Sequence, residues 1–258
     1  MGLTIISQRT YPLPEFLKDH VVEFWSLDAN PDLSKGPLRF RLCAQTYPSL
    51  VLANGFSSLE LAGGHGSRKS FSTKAAFSLL GVTVYPHALY TIFGLEPGEI
   101  MDSQYSIDDL LGASGNDLKD RLVNGPSIGR QLDIMSVFLH ERIRKHEKDD
   151  LFSESIKFIG ESDGKANIEQ LADQCGLSRR EFEKRFLRYT GFPPYLYCRL
   201  LKFRASLNKT HGYQNLTDLA YQFGYCDQSH FIREFRTFSG ESPKALLTGK
   251  QVGSTLLY

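Results

Sequence analysis

The chain has 258 residues, a formal net charge of +1, 41% hydrophobic residues and 23% charged residues. These values are typical of a globular protein with enough apolar mass for one large or two modest domains, and they exclude a disordered or fibrous chain. No stretch approaches the ~18 consecutive apolar residues of a membrane span, and the start lacks a signal-peptide pattern. We therefore expect neither a membrane segment nor export.

The small net charge hides an asymmetry along the chain. Residues 1–150 carry 15 Lys and Arg against 18 Asp and Glu, a net charge of −3, whereas residues 151–258 carry 15 against 11, a net charge of +4. We expect two domains with these bounds, of which only the basic one meets a polyanion.

The cysteines and histidines form no recognisable metal or catalytic motif. The cysteines lie far apart without CxxC spacing, which favours reduced, buried thiols and a cytoplasmic location. His65, His87 and His230 lack the HxH or HExxH spacing of a metal site. We expect no metal, no cofactor and no catalytic residue. The four cysteines are Cys43, Cys175, Cys198 and Cys226.

The first hundred residues predict β structure. Short runs rich in β-branched and aromatic residues alternate with Gly, Pro and Asn turn signals, which is typical of a sandwich or barrel. We interpret the Gly-rich 63–70 as a hairpin turn. Trp25, Tyr85 and Tyr90 either line a ligand pocket or belong to the core. The predicted strand segments are 21–27, 38–44, 48–54, 57–64, 76–86 and 90–95.

From residue 106 onward the apolar period becomes helical. Ser106 is a suitable N-cap for a helix that begins at Ile107. A stripe of apolar residues at spacings of 4, 3, 4 and 4 predicts an amphipathic helix, whose apolar face is either a dimer seam or domain core. The charged 141–150 predicts the helix end and a linker. The stripe is Ile128, Leu132, Met135, Leu139 and Ile143.

The second half contains an internal repeat. Residues 171–194 recur as residues 219–243, with an offset that grows from 48 to 49 because the second copy has one extra residue in its turn. Each copy predicts a helix, a turn that contains Gly, and a second helix. Two such copies are two helix-turn-helix units.

The second helix of the first copy begins after Ser178, and its apolar positions Phe182, Phe186 and Tyr189 share one face. The opposite face is basic, which suits the major groove of DNA because Arg and Lys donate to guanine and Glu accepts from cytosine. Leu187 also points outward unless a neighbouring helix covers it. The predicted DNA-contacting residues of this copy are Ser178, Arg179, Arg180, Glu183, Lys184 and Arg188.

The second copy repeats this design with Phe231, Phe235 and Phe238 inward. A Gln on the outer face is suited to adenine, and an Ile, unless it is packed by a neighbour, is suited to a thymine methyl group. The predicted DNA-contacting residues of this copy are Gln228, Ser229, Ile232, Arg233 and Arg236.

A helix with Pro193 and Pro194 in its first turn connects the two copies. Its rigidity fixes the distance between the reading helices, which is about 34 Å if they enter successive major grooves. Arg199, Lys202 and Arg204 are candidate phosphate contacts.

This pattern over roughly residues 167–247 resembles the AraC/XylS family of transcription regulators. The segment "GYCDQSHFIREFRTFSGESP" carries the resemblance most specifically, and Lys202 departs from the Arg that is usual in the family. The N-terminal half resembles, more weakly, the β-rich sensing domain of one branch of that family. The resemblance implies an α+β two-domain fold: an N-terminal β-barrel or cupin-like sandwich with flanking helices, and a C-terminal all-α domain of two helix-turn-helix units joined by a long helix.

The resemblance also implies partners. We expect double-stranded DNA, RNA polymerase, a small-molecule effector and a homodimer contact at the N-terminal half. Two alternatives remain open at this point: an enzyme that uses the β half for catalysis, for which Cys43 stands without a second reactive thiol, and a scaffold that has lost DNA binding.

Overall fold

The computed structural model describes residues 5–30, 36–54, 58–144, 151–209, 215–247 and 255–257. Part of the predicted linker, residues 145–150, lies outside these ranges. Over the described residues no helix combines the length and apolar character needed to cross a bilayer.

The N-terminal half contains two β-sheets. The strands are β1 (Ile5–Tyr11), β2 (Val21–Asn30), β3 (Leu38–Leu42), β4 (Ser49–Asn54), β5 (Ser58–Ala62), β6 (Lys69–Thr73), β7 (Phe77–Val84), β8 (Gln104–Ser106) and β9 (Thr255–Leu257). The larger sheet is antiparallel in the order β1-β2-β7-β4-β5-β8, and the smaller has the order β6-β3-β9. In the smaller sheet β9 comes from the C-terminal end of the chain and pairs parallel with β3.

Helices flank the larger sheet and are the regular elements of the described residues 151–209 and 215–247. The helices are α1 (Pro86–Phe93), α2 (Ile107–Leu111), α3 (Ala113–Val123), α4 (Ile128–Arg144), α5 (Leu151–Glu161), α6 (Ile168–Gln174), α7 (Arg179–Thr190), α8 (Pro194–Lys209), α9 (Leu216–Gln222), α10 (Gln228–Ser239) and α11 (Pro243–Leu247). A β-rich N-terminal half followed by a helical half confirms the predicted fold class, except that β9 adds a strand to the predicted all-α part. Helix α5 was not predicted, although its buried residues Phe152, Ile156 and Ile159 follow at helical spacings of 4 and 3.

The apolar stripe of α4 belongs to the core of the N-terminal half. Met135 and Leu139 are fully buried, and they join a cluster with Leu50 and Leu52 of β4 and with side chains of α1 and α3. Of the two alternatives left open by the sequence, the structure therefore selects domain core for this face.

The segment 90–95, predicted as a strand, lies largely in helix α1, so that prediction is wrong. Pro86 occupies the first turn, where its missing N–H costs nothing, and Gly94 ends the helix with φ +76°. Leu89 and Ile92 are fully buried on one face. A short apolar run is compatible with a strand or a helix, and here Pro86 and Gly94 at its two ends favour the helix.

The Gly-rich 63–70 is not a hairpin turn. It connects β5 of the larger sheet to β6 of the smaller one, and these two strands do not pair with each other. The loop lies against the C-terminal half: a Cβ added to Gly64 would lie 3.0 Å from Cε2 of Phe192, and one added to Gly66 would lie 3.6 Å from its Cε1. A side chain at position 64 would therefore crowd both Thr46 and, in the C-terminal half, Phe192, which a glycine avoids.

Three residues of the N-terminal half belong to the hydrophobic core of the C-terminal half. Cys43, Ala44 and Tyr47, which follow β3, belong to the same buried cluster as the aromatic residues of the helix-turn-helix units. The ring of Tyr47 lies 6.3 Å from that of Tyr197 in α8, which in turn lies 5.2 Å from that of Phe186 in α7. Interactions between the halves therefore include apolar packing as well as surface contacts.

Replacement of Gly191 by Ala tests this packing. Gly191 ends α7 with φ +77°, and an added Cβ would lie 2.6 Å from Cγ of Met101 in the N-terminal half. Gly176 is the matched control, because it has φ +65° and an added Cβ there would meet no atom within 4 Å. We expect Gly176→Ala to lower the free energy of unfolding by about 1 kcal/mol, from backbone strain alone.

Gly191→Ala should lower the free energy of unfolding by clearly more than Gly176→Ala does, because the contact with Met101 adds to the same backbone strain. Urea unfolding of the full chain measures both. Equal losses in the two variants would contradict close packing of the N-terminal half against the end of α7.

Candidate nucleic-acid interface

Helix α7 begins and packs as the sequence predicts. The Ser178 hydroxyl oxygen accepts the backbone N–H of Glu181 at 3.3 Å, which satisfies one of the free donors at the helix start. Phe182 and Phe186 are fully buried, and Tyr189 is partly buried against the same core. The preceding α6 is capped in the same way by Asn167, and Gly176 turns the chain with φ +65°.

The outer face of α7 is charged and accessible. Arg180 and Lys184 are exposed, and no ion pair engages either of them among the described residues. Arg179 donates to Glu183 at 3.0 Å and to Glu169 of α6 at 3.1 Å, and these contacts raise its pKa. Arg180 and Lys184 are thus the two side chains of this face that carry no carboxylate partner in the described part of the chain.

Helix α10 repeats this arrangement with a different cap. The Asp227 carboxylate accepts the backbone N–H of His230 at 2.7 Å, and Arg233 and Arg236 are exposed. Gln228 is half-buried, and its amide oxygen accepts the Thr217 hydroxyl at 2.9 Å. Ser229 is exposed, and Ile232 is half-buried at the edge of the face.

The connecting helix α8 does not present its arginines freely to solvent. Arg199 pairs with Glu234 of α10, whose side chain is only 7% exposed, and its guanidinium stacks over the rings of Tyr195 and Phe238 at 5.3 and 5.4 Å. The sequence offered Arg199 as a phosphate contact, but the geometry favours a structural role that joins α8 to α10. Helical spacing places Glu234 within about 60° of Phe231 and Phe238, on the apolar side of α10, but it gives no sign that Arg199 is its partner.

The other two basic residues of α8 differ from each other. Arg204 reaches the N-terminal half, where its Nη2 donates to the Glu23 carboxylate at 2.6 Å and its guanidinium lies 5.0 Å from the Tyr47 ring centroid. This geometry also departs from the predicted phosphate contact. Lys202 is half-buried, and its Nζ lies near Gly224 in the turn before α10.

Replacement of Arg199 distinguishes a phosphate contact from a structural link between α8 and α10. Arg199→Ala leaves the buried Glu234 carboxylate unpaired, so we expect a loss of about 1–3 kcal/mol in the free energy of unfolding. The double variant Arg199→Ala/Glu234→Gln should recover part of that loss, since it removes the uncompensated charge. An unchanged unfolding curve, together with a smaller salt dependence of DNA affinity, would instead favour the phosphate role.

The N-terminal half contacts both helix-turn-helix units at the ends of their second helices. Arg41 of β3 pairs with Glu241 just after α10, and the backbone N–H of Ala44 donates to the carbonyl of Phe238 at 3.0 Å. At the first unit, Arg188 of α7 donates through Nε to Glu96 at 2.6 Å. Arg188, a predicted DNA contact, is therefore engaged by the N-terminal half.

A cleft of about 750 Å³ lies beside this contact, between the two halves. Its walls come from α1 and the segment around Pro97 on one side and from α5 and α7 on the other. Two ion pairs flank it, Lys157 with Asp19 and Arg188 with Glu96. Burial is the largest cause that lowers the pKa of His87 in its wall to about 4, so this imidazole is neutral at pH 7. The lining residues are Asp19, His20, Pro86, His87, Tyr90, Thr91, Glu96, Pro97, Ser153, Glu154, Lys157, Arg188 and Tyr189.

The three aromatic residues considered for a ligand pocket do not lie together. Tyr90 is 49% exposed and lines the cleft. Tyr85 packs on Tyr47 with ring centroids 5.7 Å apart. Trp25 covers Gly81 in the larger sheet, and its Nε1 donates to the Thr83 hydroxyl at 3.0 Å. The three residues therefore do not line a single pocket.

The cysteines only partly follow the expectation of buried thiols. All four are free; Cys43 and Cys198 are buried, Cys175 is half-buried and Cys226 is exposed. Burial raises the pKa of the Cys43 thiol to about 12. In the part of the chain that the structure describes, no three His, Cys, Asp or Glu side chains meet in a way that would hold a metal ion.

Comparison with known proteins finds the same domain. Residues 171–249 match a family model described as a helix-turn-helix domain. The chain is 34% identical over 87 residues to the HTH-type transcriptional activator RhaS of Escherichia coli (strain K12 / DH10B), a segment that covers 33% of this chain and 31% of that protein. The chain therefore spans about a third of the length of the curated relatives it matches.

Solved structures with similarity include the DNA-binding domain of AdpA in complex with a target DNA, with a TM-score of 0.37, 22% identity and coverage of 39% of this chain and 93% of that one. ToxT from Vibrio cholerae O395 gives a TM-score of 0.44 and 15% identity, with coverage of 84% of this chain and 98% of that one.

The repeat, the two capped second helices and the connecting α8 define a double helix-turn-helix domain. Residues 171–249 thus form a helix-turn-helix domain by the family match, and they are similar in sequence to part of RhaS.

Proposed function

We propose that this protein is a sequence-specific DNA-binding transcription regulator whose helices α7 and α10 enter successive major grooves of one DNA duplex. The observation that carries the proposal is the duplication itself: each copy buries Phe at equivalent positions and turns exposed basic side chains outward. A single charged helix face is usually only solvated surface. Two copies joined by a rigid helix are suited to DNA, whose grooves repeat every ~34 Å.

The proposed base contacts follow from hydrogen-bonding capacity. Arg180, Lys184 and Arg233 can donate to guanine O6 and N7. Gln228 is suited to adenine once its amide leaves Thr217, and Ile232 to a thymine methyl group. The remaining candidates are Ser178, Arg179, Glu183, Arg188, Ser229 and Arg236, together with Lys202 of α8, which is suited to a phosphate.

The N-terminal half is proposed to control how the reading helices meet DNA. It contacts the ends of both α7 and α10. A ligand or a second copy of the chain that moves the N-terminal half would therefore change the relative position of the two reading helices. The cleft beside Tyr90 is the proposed effector site, because its walls come from both halves and a bound molecule would alter their relative position. A regulator of this kind would act together with RNA polymerase.

Binding rather than catalysis is proposed as the activity. A reactive thiol must be ionised, and the raised pKa of Cys43 keeps this buried side chain protonated near pH 7. Stoichiometric zinc or iron in the purified protein would contradict this part of the proposal.

The proposal is tested by selecting bound duplexes from a random DNA library with the full-length protein. We expect two short enriched motifs whose centres lie about one helical turn apart. The affinity for the selected duplex should fall steeply with salt, because each phosphate contact releases about 0.9 counterion. Binding without any enriched motif would mean that the basic half makes only electrostatic contacts with DNA. A slope near zero for log affinity against log salt concentration would favour the alternative of a scaffold that has lost DNA binding.

Substitution of the exposed arginines assigns the reading residues. Arg180→Ala and Arg233→Ala should each cost about 1–3 kcal/mol of affinity on the selected duplex and relax one base position, since each removes a donor to a base edge. Arg185→Ala is the matched control on α7, because Arg185 pairs with Glu181 at 3.6 Å away from the outward face. Equal losses on all sequences would show phosphate contact instead of base readout.

A further inference from the structure

In the last turn of the first reading helix, the exposed Arg188 pairs with an acidic side chain of the N-terminal half. Glu96 accepts from Arg188 Nε at 2.6 Å and also pairs with its terminal nitrogen. Just beyond, Gly191 lies so close to residues 97–101 that an added Cβ would be 3.3 Å from the Pro97 carbonyl oxygen. The end of α7 thus lies directly against the segment that carries Glu96.

Arg188 lies on the face that is proposed to meet DNA. Residues 180, 184 and 188 are each four positions apart, so their side chains fall within an arc of about 80° on the helix. In helix-turn-helix proteins the start of the second helix reaches the base edges. A cation in the last turn of the helix is therefore suited to a phosphate of the DNA backbone, and here its partner is the Glu96 carboxylate.

The second copy lacks an equivalent ion pair among the described residues. The repeat aligns Arg188 with Thr237, which is exposed and whose hydroxyl donates to the Arg233 carbonyl at 2.9 Å within its own helix. The ion pair between Arg41 and Glu241 lies beyond the end of α10 and leaves its outer face open. Of the two reading helices, α7 alone has its outer face paired with a carboxylate of the N-terminal half in the described residues.

The Glu96 carboxylate is held in place before it meets Arg188. It accepts the backbone N–H of Glu99, and the Glu99 carboxylate accepts the backbone N–H of Glu96 at 2.6 Å, a reciprocal capping arrangement around the turn Pro97–Glu99. An anchored carboxylate loses little rotamer freedom on pairing, so the contact is better defined than an ordinary surface pair.

We propose that Glu96 is a phosphate mimic that inhibits the first helix-turn-helix unit, since it occupies Arg188 in the position that a DNA phosphate needs. DNA and the N-terminal half then compete for one guanidinium, while the second unit stays free to bind. The two helices therefore bind DNA in sequence. Helix α10 binds first, and α7 completes the complex only when the ion pair between Glu96 and Arg188 breaks. The inference rests on the proposed DNA-binding function and adds a regulatory contact to it.

Glu96→Gln in the full-length protein tests this competition. The amide keeps an oxygen that can accept the backbone N–H of Glu99, so the local turn is retained while the charge is removed. We expect the affinity for the selected duplex to rise about two- to fivefold at low salt, the range that an exposed ion pair contributes. The gain should shrink as salt is raised, because exposed charges are screened.

Two further variants keep the test specific. In an Arg188→Gln background, Glu96→Gln should give no gain, because the guanidinium for which both partners compete is absent. Asp117→Asn is the matched control for overall charge: it removes a carboxylate of the same half whose partner, Arg121, lies in the same helix. An equal gain from Asp117→Asn, or a gain that persists without Arg188, would overturn the proposal and leave only general repulsion.

The outcome also separates this inference from the proposed function. If the protein selects a DNA sequence but Glu96→Gln leaves its affinity unchanged, competition at Arg188 is wrong and DNA binding stands. If neither the wild-type protein nor Glu96→Gln selects any sequence, the proposed function itself fails.

Discussion

The aromatic contact between the two halves is the constraint on which the arrangement of the reading helices depends. Tyr47, from the loop before β4, packs on Tyr197 of α8, and Tyr197 packs edge-on against Phe186 of α7. Burial raises the pKa of Tyr47 to about 12 and holds the pKa of Tyr197 well above its usual range, as expected for hydroxyls that are removed from water. Since Tyr197 is fully buried, the N-terminal half cannot shift far without repacking the core beneath α7.

The ion pairs around this core have a different physical character. Lys157 with Asp19, Arg204 with Glu23 and Arg188 with Glu96 lie at the margins of the interface, where their partners are partly exposed. Exposed pairs contribute little stability, yet they fix orientation and respond to salt and to competing anions. The apolar core therefore keeps the halves together, and the charged margin is where a polyanion or an effector can act.

Duplication has produced two units with one architecture and two kinds of surroundings. Both second helices start at a side-chain cap, end at a glycine with positive φ and bury equivalent phenylalanines. Their charges are used differently: Glu234 of α10 turns inward to hold Arg199, whereas the repeat aligns it with Arg185 of α7, which pairs with Glu181 at the surface. A duplicated fold thus permits different contacts in its two copies, because equivalent positions carry side chains of opposite charge.

The sequence by itself determined the elements whose signals are local. The repeat is visible in the residues themselves, and the helix start at Ser178 and the Gly-containing turn before it follow from hydrogen bonding and backbone sterics within a few residues. The tertiary structure decided the rest. Residues 90–95 form part of a helix because of Pro86 and Gly94, the Gly-rich loop crosses between sheets, and Arg188 and Arg199 face carboxylates that lie 92 and 35 residues away. An ion pair between distant residues leaves no periodicity in the chain, because the side chains meet only after the helices and sheets have packed.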